Sequence, residues 1–152
     1  MHLSGDELAG VVDLFGGLTR AELDRAVEEL AFKRGASHDA DALDDAVGAA
    51  LDGYRLVAVD GRDPPVLVPG PAAFPSLPEG ATDLPHIMDV PERDVDRETA
   101  AAAALARLAD DAEDAAAAGD GERADALLDV SYDLEAWGPV DAGDVRDRLD
   151  DV

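Results

Sequence analysis

The chain has no cysteine, one lysine and only six aromatic residues in 152. Without cysteine there are no disulfide staples, no thiolate zinc site and no catalytic thiol. No uninterrupted apolar run approaches the roughly 20 residues of a membrane span. The start lacks the basic and then apolar pattern of a secretory signal peptide, so a cytoplasmic location is expected. The aromatic complement is Phe15, Phe32, Tyr54, Phe74, Tyr132 and Trp137, which leaves the core to Leu, Val and Ala. The length fits one domain, or a small domain with a helical appendage, and is enough to bury a core.

What the chain has in excess is acid. Thirty-six Asp and Glu face 12 basic residues, for a net charge of −24, and Asp outnumbers Glu 26 to 10. The excess is spread evenly: residues 1–93 carry 18 acids and 7 bases, residues 94–152 carry 18 and 5. Because 47% of the residues are apolar and fall at helical spacing among the acids, this is a folded domain with an acidic shell rather than a solvated tail. Such a shell suits a cytoplasm at molar KCl, where the Debye length falls to roughly 3 Å and like charges barely repel.

Three amphipathic helices are predicted first. Ser4 with Glu7, and Thr19 with Glu22, are capping boxes, in which hydroxyl and carboxylate satisfy each other's free backbone N–H groups. The stripes behind them are Leu8, Val11, Val12, Phe15 and Leu23, Ala26, Val27, Leu30, Ala31, with Gly16-Gly17 and Gly35 as stops. A third helix starts between Ser37, read as a cap, and Asp41, buries Leu43, Ala46, Val47, Ala50 and Leu51, and ends at Gly53. Tyr54 to Val59 reads as a strand, Asp60 to Pro65 as a turn and Val66 to Val68 as a return strand. Six prolines between Pro69 and Pro91 preclude a long helix there. Yet Phe74, Leu77, Leu84, Ile87 and Met88 are too apolar for a solvated linker, so an extended strap against the body is expected.

A helical hairpin follows, from about Val95 to Ala118 and on from Ala124. The first helix carries a narrow seam of Ala101, Leu105, Leu108, Ala112 and Ala115, suited to one partner helix. Ala124, Leu127, Leu128, Ser131 and Leu134 face it across a Gly119-Asp120-Gly121 turn. Tyr132 and Trp137 stand near its end, Gly138-Pro139 breaks it, and a short helix from about Ala142 to Leu149 closes the chain. The expected division is residues 1–68, a strap at 69–93, and 94–152. The expected class is mainly α (α+β): a three-helix core with a small β-hairpin, plus the C-terminal helical hairpin.

Helix, helix, helix, strand, turn, strand resembles a winged helix-turn-helix domain without its small first strand. The resemblance covers about residues 4–68 and makes the third helix the DNA-reading element and the hairpin the wing. The chemistry opposes that use. From Ala36 to Gly53 there is no Lys, Arg, Asn or Gln, while Asp39, Asp41, Asp44, Asp45 and Asp52 would all face phosphate. The one small cationic patch available to a DNA-binding alternative is Lys33, Arg34, Arg55 and Arg62. Lys33-Arg34 at a helix end equally complements the helix dipole and caps free carbonyls.

No catalytic, metal or cofactor constellation emerges. His2 is terminal, and His38 with Asp39 and Asp41 reads as a helix start. His86, in Leu84-Pro85-His86-Ile87-Met88-Asp89, has no second histidine or nucleophilic serine nearby. Acidic pairs such as Asp110-Asp111 follow from composition, and Asp60-Gly61 and Asp120-Gly121 lack the remaining ligands of a calcium loop. No nucleotide or metalloprotease motif is present.

Several stretches look like a family of small uncharacterised proteins from halophilic archaea: residues 6–15 (DELAGVVDLF), 18–35 (LTRAELDRAVEELAFKRG), 66–80 (VLVPGPAAFPSLPEG), 84–93 (LPHIMDVPER) and 126–139 (ALLDVSYDLEAWGP). That resemblance implies a high-salt habitat and no particular activity. The expectation from sequence is a non-enzymatic interaction or regulatory module without cofactor or membrane contact. Its partner is expected to be another protein or a second copy through Leu105, Leu108, Tyr132 and Trp137.

Overall fold

Local capping chemistry sets the first two helices. Helix α1 (Gly5–Phe15) starts at Ser4 and α2 (Arg20–Lys33) at Thr19, each with both halves of its capping box formed. Gly35, at φ +64, stops α2 while the Ala36 N–H returns to the Ala31 carbonyl, the wrapping bond of a Schellman closure. Helix α3 (Ala40–Asp52) is capped by Asp39, whose carboxylate accepts from the Asp41 and Ala42 N–H groups. This corrects the cap expected at Ser37: a carboxylate two residues on reaches the free N–H groups first. Asp39→Ala should therefore cost about 1 kcal/mol in denaturant melts, and Ser37→Ala close to nothing.

The computed structural model describes residues 1–61 and 64–152. Of the candidate patch, Arg62 lies outside the described residues. The fold is mainly α with a small antiparallel sheet, as its helical periodicities predict. It divides into two compact units, Met1–Val95 and Asp96–Val152.

In the first unit, strands β1 (Leu18–Thr19), β2 (Leu56–Val59) and β3 (Val66–Pro69) form a sheet ordered β1-β3-β2. Val59 pairs with Val66 across the hairpin, and Leu18 pairs with Leu67 on the other side of β3. The strand between the first two helices was not expected. Two residues carry no periodicity, and only their partner on β3 makes them a strand. Tyr54 and Arg55, read as strand residues, instead close α3: their N–H groups return to the Leu51 and Ala50 carbonyls, and Tyr54 sits at φ +60. The core draws Leu8, Val11 and Val12 from α1, Leu23 and Leu30 from α2, Leu43 and Val47 from α3, and Leu56 and Leu67 from the sheet. Each fully buried side chain of this kind contributes about 1.5–3 kcal/mol, so aliphatic residues suffice without aromatic filling.

The proline-rich stretch lies on α1 and α2. Ser76 N–H donates to the Asp6 carbonyl and Phe74 N–H to the Asp6 carboxylate. A 3₁₀ turn (Ala81–Asp83) leads into a one-turn helix, α4 (Leu84–Ile87). The strap is thus not extended throughout. Pro85 sits in the first turn of α4, where its missing N–H would have had no helical partner.

The second unit is three helices, α5 (Arg97–Ala118), α6 (Gly121–Trp137) and α7 (Gly143–Leu149), around Ala101, Leu108, Ala112, Leu127, Leu134, Val145 and Leu149. Among the described residues no helix is long and apolar enough to cross a membrane.

Candidate functional site

The spacing of α2 that buries Leu23, Val27 and Leu30 turns Arg25, Glu28, Glu29 and Phe32 outward, at i, i+3, i+4 and i+7 along one stripe. Three of them are polar, as a solvated face requires. Phe32 is not, and it is 81% exposed.

The strap supplies the opposite wall. Lys33 Nζ donates to the Gly80 carbonyl at 2.9 Å and pairs with Asp83 at 3.3 Å, while Arg34 Nε donates to the Glu79 carbonyl at 2.8 Å. These bonds fasten the turn before α4 to the end of α2, and buried Leu84 anchors α4 in the core. Ile87 is left 51% exposed. The result is a groove of about 440 Å³ lined by Arg25, Glu28, Glu29, Phe32, Ile87, Met88 and Asp89. Its apolar part is Phe32, Ile87 and Met88, and three carboxylates and one guanidinium border it. His86 is exposed on α4 and is not among the lining residues.

The candidate cationic patch is dispersed. Lys33 and Arg34 cap carbonyls, but those of the strap rather than of their own helix. Arg55 is at the far end of α3, 3.4 Å from Asp6 at the start of α1. Asp44 of the acidic third helix is itself paired with Arg20, which also holds Asp24. Burial works to lower the Arg20 pKa, but hydrogen bonds and charge from these two carboxylates outweigh it and raise the value.

The candidate interaction surface in the second unit is largely filled from within that unit. Leu108 is fully buried and Leu105 half-buried. The seam was read as serving one partner helix, yet α5 packs against both α6 and α7, with Val145 and Leu149 buried. Tyr132 lies under the Arg146 guanidinium at 4.6 Å and Trp137 under Arg97 at 4.3 Å. Arg97 also donates to the Trp137 carbonyl at 2.8 Å, and Arg146 grips both oxygens of Glu135 at 2.9 and 3.1 Å. That grip, with the Ala142 N–H, lowers the Glu135 pKa against the opposing effect of burial. Both aromatic rings are thus matched to cations of their own unit.

The apolar stripe of α2 was legible in the sequence and the groove beside it was not. The signal available was Phe32, an aromatic residue on a helix face otherwise given to Arg and Glu.

A model of a family of unknown function, DUF7109, matches residues 6–152. No curated protein and no solved structure matches the chain. The chain belongs to the DUF7109 family.

Proposed function

We propose that this DUF7109 member is a non-enzymatic protein-interaction or regulatory module of a high-salt, haloarchaeal cytoplasm. It docks its partner in the groove between α2 and α4. The observation that carries the reading is Phe32: one of only three phenylalanines stands 81% exposed beside Ile87 and Met88. Buried aromatic anchors of this type dominate the energetics of protein interfaces. The scaffold is winged-helix-like. Helix, strand, helix, helix, strand, strand, with the first strand beside the third, supports that likeness over the order lacking a first strand. The acidic third helix and the engagement of Lys33, Arg34 and Arg55 within the fold favour a protein partner over DNA.

The test is a photo-crosslinking amino acid placed at position 32 of the chain in its native high-KCl cytoplasm. A discrete, stoichiometric adduct is expected, and it should vanish when the crosslinker is moved to exposed Gly48 on α3. Absence of any adduct at position 32 would overturn the reading. Duplex DNA binding at molar KCl, lost on neutralising Lys33, Arg34, Arg55 and Arg62, would replace it with the regulator alternative.

A further inference from the structure

We infer that the second unit, Asp96–Val152, is an ionic-strength switch: it is folded at molar KCl and unfolds at low salt, while the first unit stays folded. Charge and core are divided unequally between the two units, and the switch follows from that division.

The units carry equal charge in unequal lengths of chain. Residues 1–95 have 19 acids and 7 bases, and residues 96–152 have 17 and 5, so each unit stands at −12. The second unit concentrates that charge in 57 residues instead of 95, and self-repulsion opposes a compact state more strongly as charge crowds. Its five arginines are far too few to match 17 carboxylates. Along its helices the acids also stand one turn apart. Asp110 and Asp114 on α5, and Asp125, Asp129 and Asp133 on α6, are exposed at i, i+4 spacing, where like charges destabilise a helix. Neither α5 nor α6 has a basic residue in its last turn to offset the negative end of the helix dipole.

The core that must resist this repulsion is thin. Buried apolar side chains larger than alanine number six in the second unit: Leu108, Leu127, Val130, Leu134, Val145 and Leu149. The described part of the first unit buries nineteen, Phe15 and Tyr54 among them. Per residue the second unit has about half as many. The rest of its buried hydrophobic residues are alanines, each with little apolar area to remove from water. A unit of about 60 residues is marginal even with larger side chains inside.

Salt therefore decides the balance. At about 0.1 M the Debye length is about 10 Å, which spans neighbouring turns of a helix. At molar KCl it is about 3 Å, shorter than the roughly 5–6 Å between carboxylate-bearing positions at i, i+4. In the second unit this screening lifts a repulsion that its core cannot outweigh alone. In the first unit the larger core tolerates the same net charge without it.

The experiment is a KCl titration of the full chain, from molar down to about 0.1 M, followed by two probes. Trp137, the single tryptophan, is half-buried at the end of α6, so its fluorescence reports the second unit. Amide hydrogen exchange read by mass spectrometry resolves α1–α3 from α5–α7. Trp137 emission should shift to the red and α5–α7 should lose protection at a KCl concentration where α1–α3 keep theirs. Asp110→Asn, Asp114→Asn, Asp125→Asn and Asp129→Asn combined should lower that KCl midpoint at least about twofold. Asn and Asp have similar helix propensity, so charge is what changes. A midpoint unmoved by the four substitutions overturns the inference. So does one KCl midpoint shared by both units, or a second unit whose protection is the same at both ends of the titration.

Discussion

Gly10→Ala should destabilise the first unit by about 2 kcal/mol in chemical denaturation, although alanine is the better helix former. Gly10 lies inside α1 and is buried. On propensity alone the substitution would stabilise by roughly 1 kcal/mol. The strap reverses the sign. A Cβ at position 10 would stand 2.6 Å from the Ser76 carbonyl carbon, with the carbonyl oxygen nearer still. The obstacle is backbone, which cannot rotate away as a side chain could. Ser76 is also fixed to the same helix by its N–H on the Asp6 carbonyl at 3.0 Å. Relief requires lifting the strap off α1, and overpacking of this kind costs about 1–3 kcal/mol or more. Gly48→Ala is the control. Gly48 lies within α3 with nothing inside 4 Å of an added Cβ, so it should stabilise by about 0.5–1 kcal/mol. Opposite signs from the same substitution in two helices of one protein would isolate the strap contact as the cause. If Gly10→Ala were neutral or stabilising, the close approach of residues 74–77 to α1 would be wrong.

The contrast between what was and was not legible in the sequence follows from the range of the interactions. Ser4 with Glu7 and Thr19 with Glu22 are three residues apart, so sequence alone carries both caps. Gly35 and Gly53 mark helix ends for the same reason. The two-residue strand Leu18–Thr19 depends on Leu67 and Val66, nearly fifty residues away, and nothing local announces it. Pro85 signalled an interruption, but a proline in the first turn starts a helix as readily as it ends one. At the site, the buried stripe of α2 was readable from its period. What made the remaining face a groove was the strap, held by Lys33 and Arg34 to carbonyls more than forty residues on. In the sequence those two cations read as a DNA patch or as caps of their own helix. The structure gives them a third use that only the tertiary path of the chain reveals. Leu108 is the converse case: its period was right, but α7 as well as α6 packs against the helix that carries it, so a seam read as open is closed.

Replacing Arg93 with methionine should cost about 2–3 kcal/mol at neutral pH, and the loss should shrink on acidification. Arg93 ends the strap. Its guanidinium meets both oxygens of Glu22 at 2.5 and 3.2 Å and the Gly17 carbonyl at 3.2 Å, while its N–H donates to the Phe15 carbonyl. The two side chains are only 17% and 14% exposed. Burial works to raise the Glu22 pKa, but hydrogen bonds from Arg93 and the Thr19 N–H, with the Arg93 charge, bring it below the ordinary carboxylate range. A carboxyl whose folded value is depressed contributes stability that is present above its unfolded pKa, near 4.3, and is lost as pH falls through the folded value. The variant leaves Glu22 charged, largely buried and without its cation, which is the expensive way to break such a pair. As pH falls through the depressed folded value, protonation removes that charge in the parent protein as well, and the two melting curves should converge. Glu22→Gln in the Arg93→Met background should recover part of the loss at neutral pH, since an amide can keep the capping bond to Thr19 without needing a cation. The pair should also outlast added KCl, because screening acts weakly on partners this shielded. A difference that vanished at molar salt, or stayed constant as pH fell from neutral through the acid unfolding of both proteins, would mean that Arg93 holds the strap by packing alone. The Phe32 groove depends on the answer, since its α4 wall belongs to a strap fastened at one end by Lys33 and Arg34 and at the other by this pair.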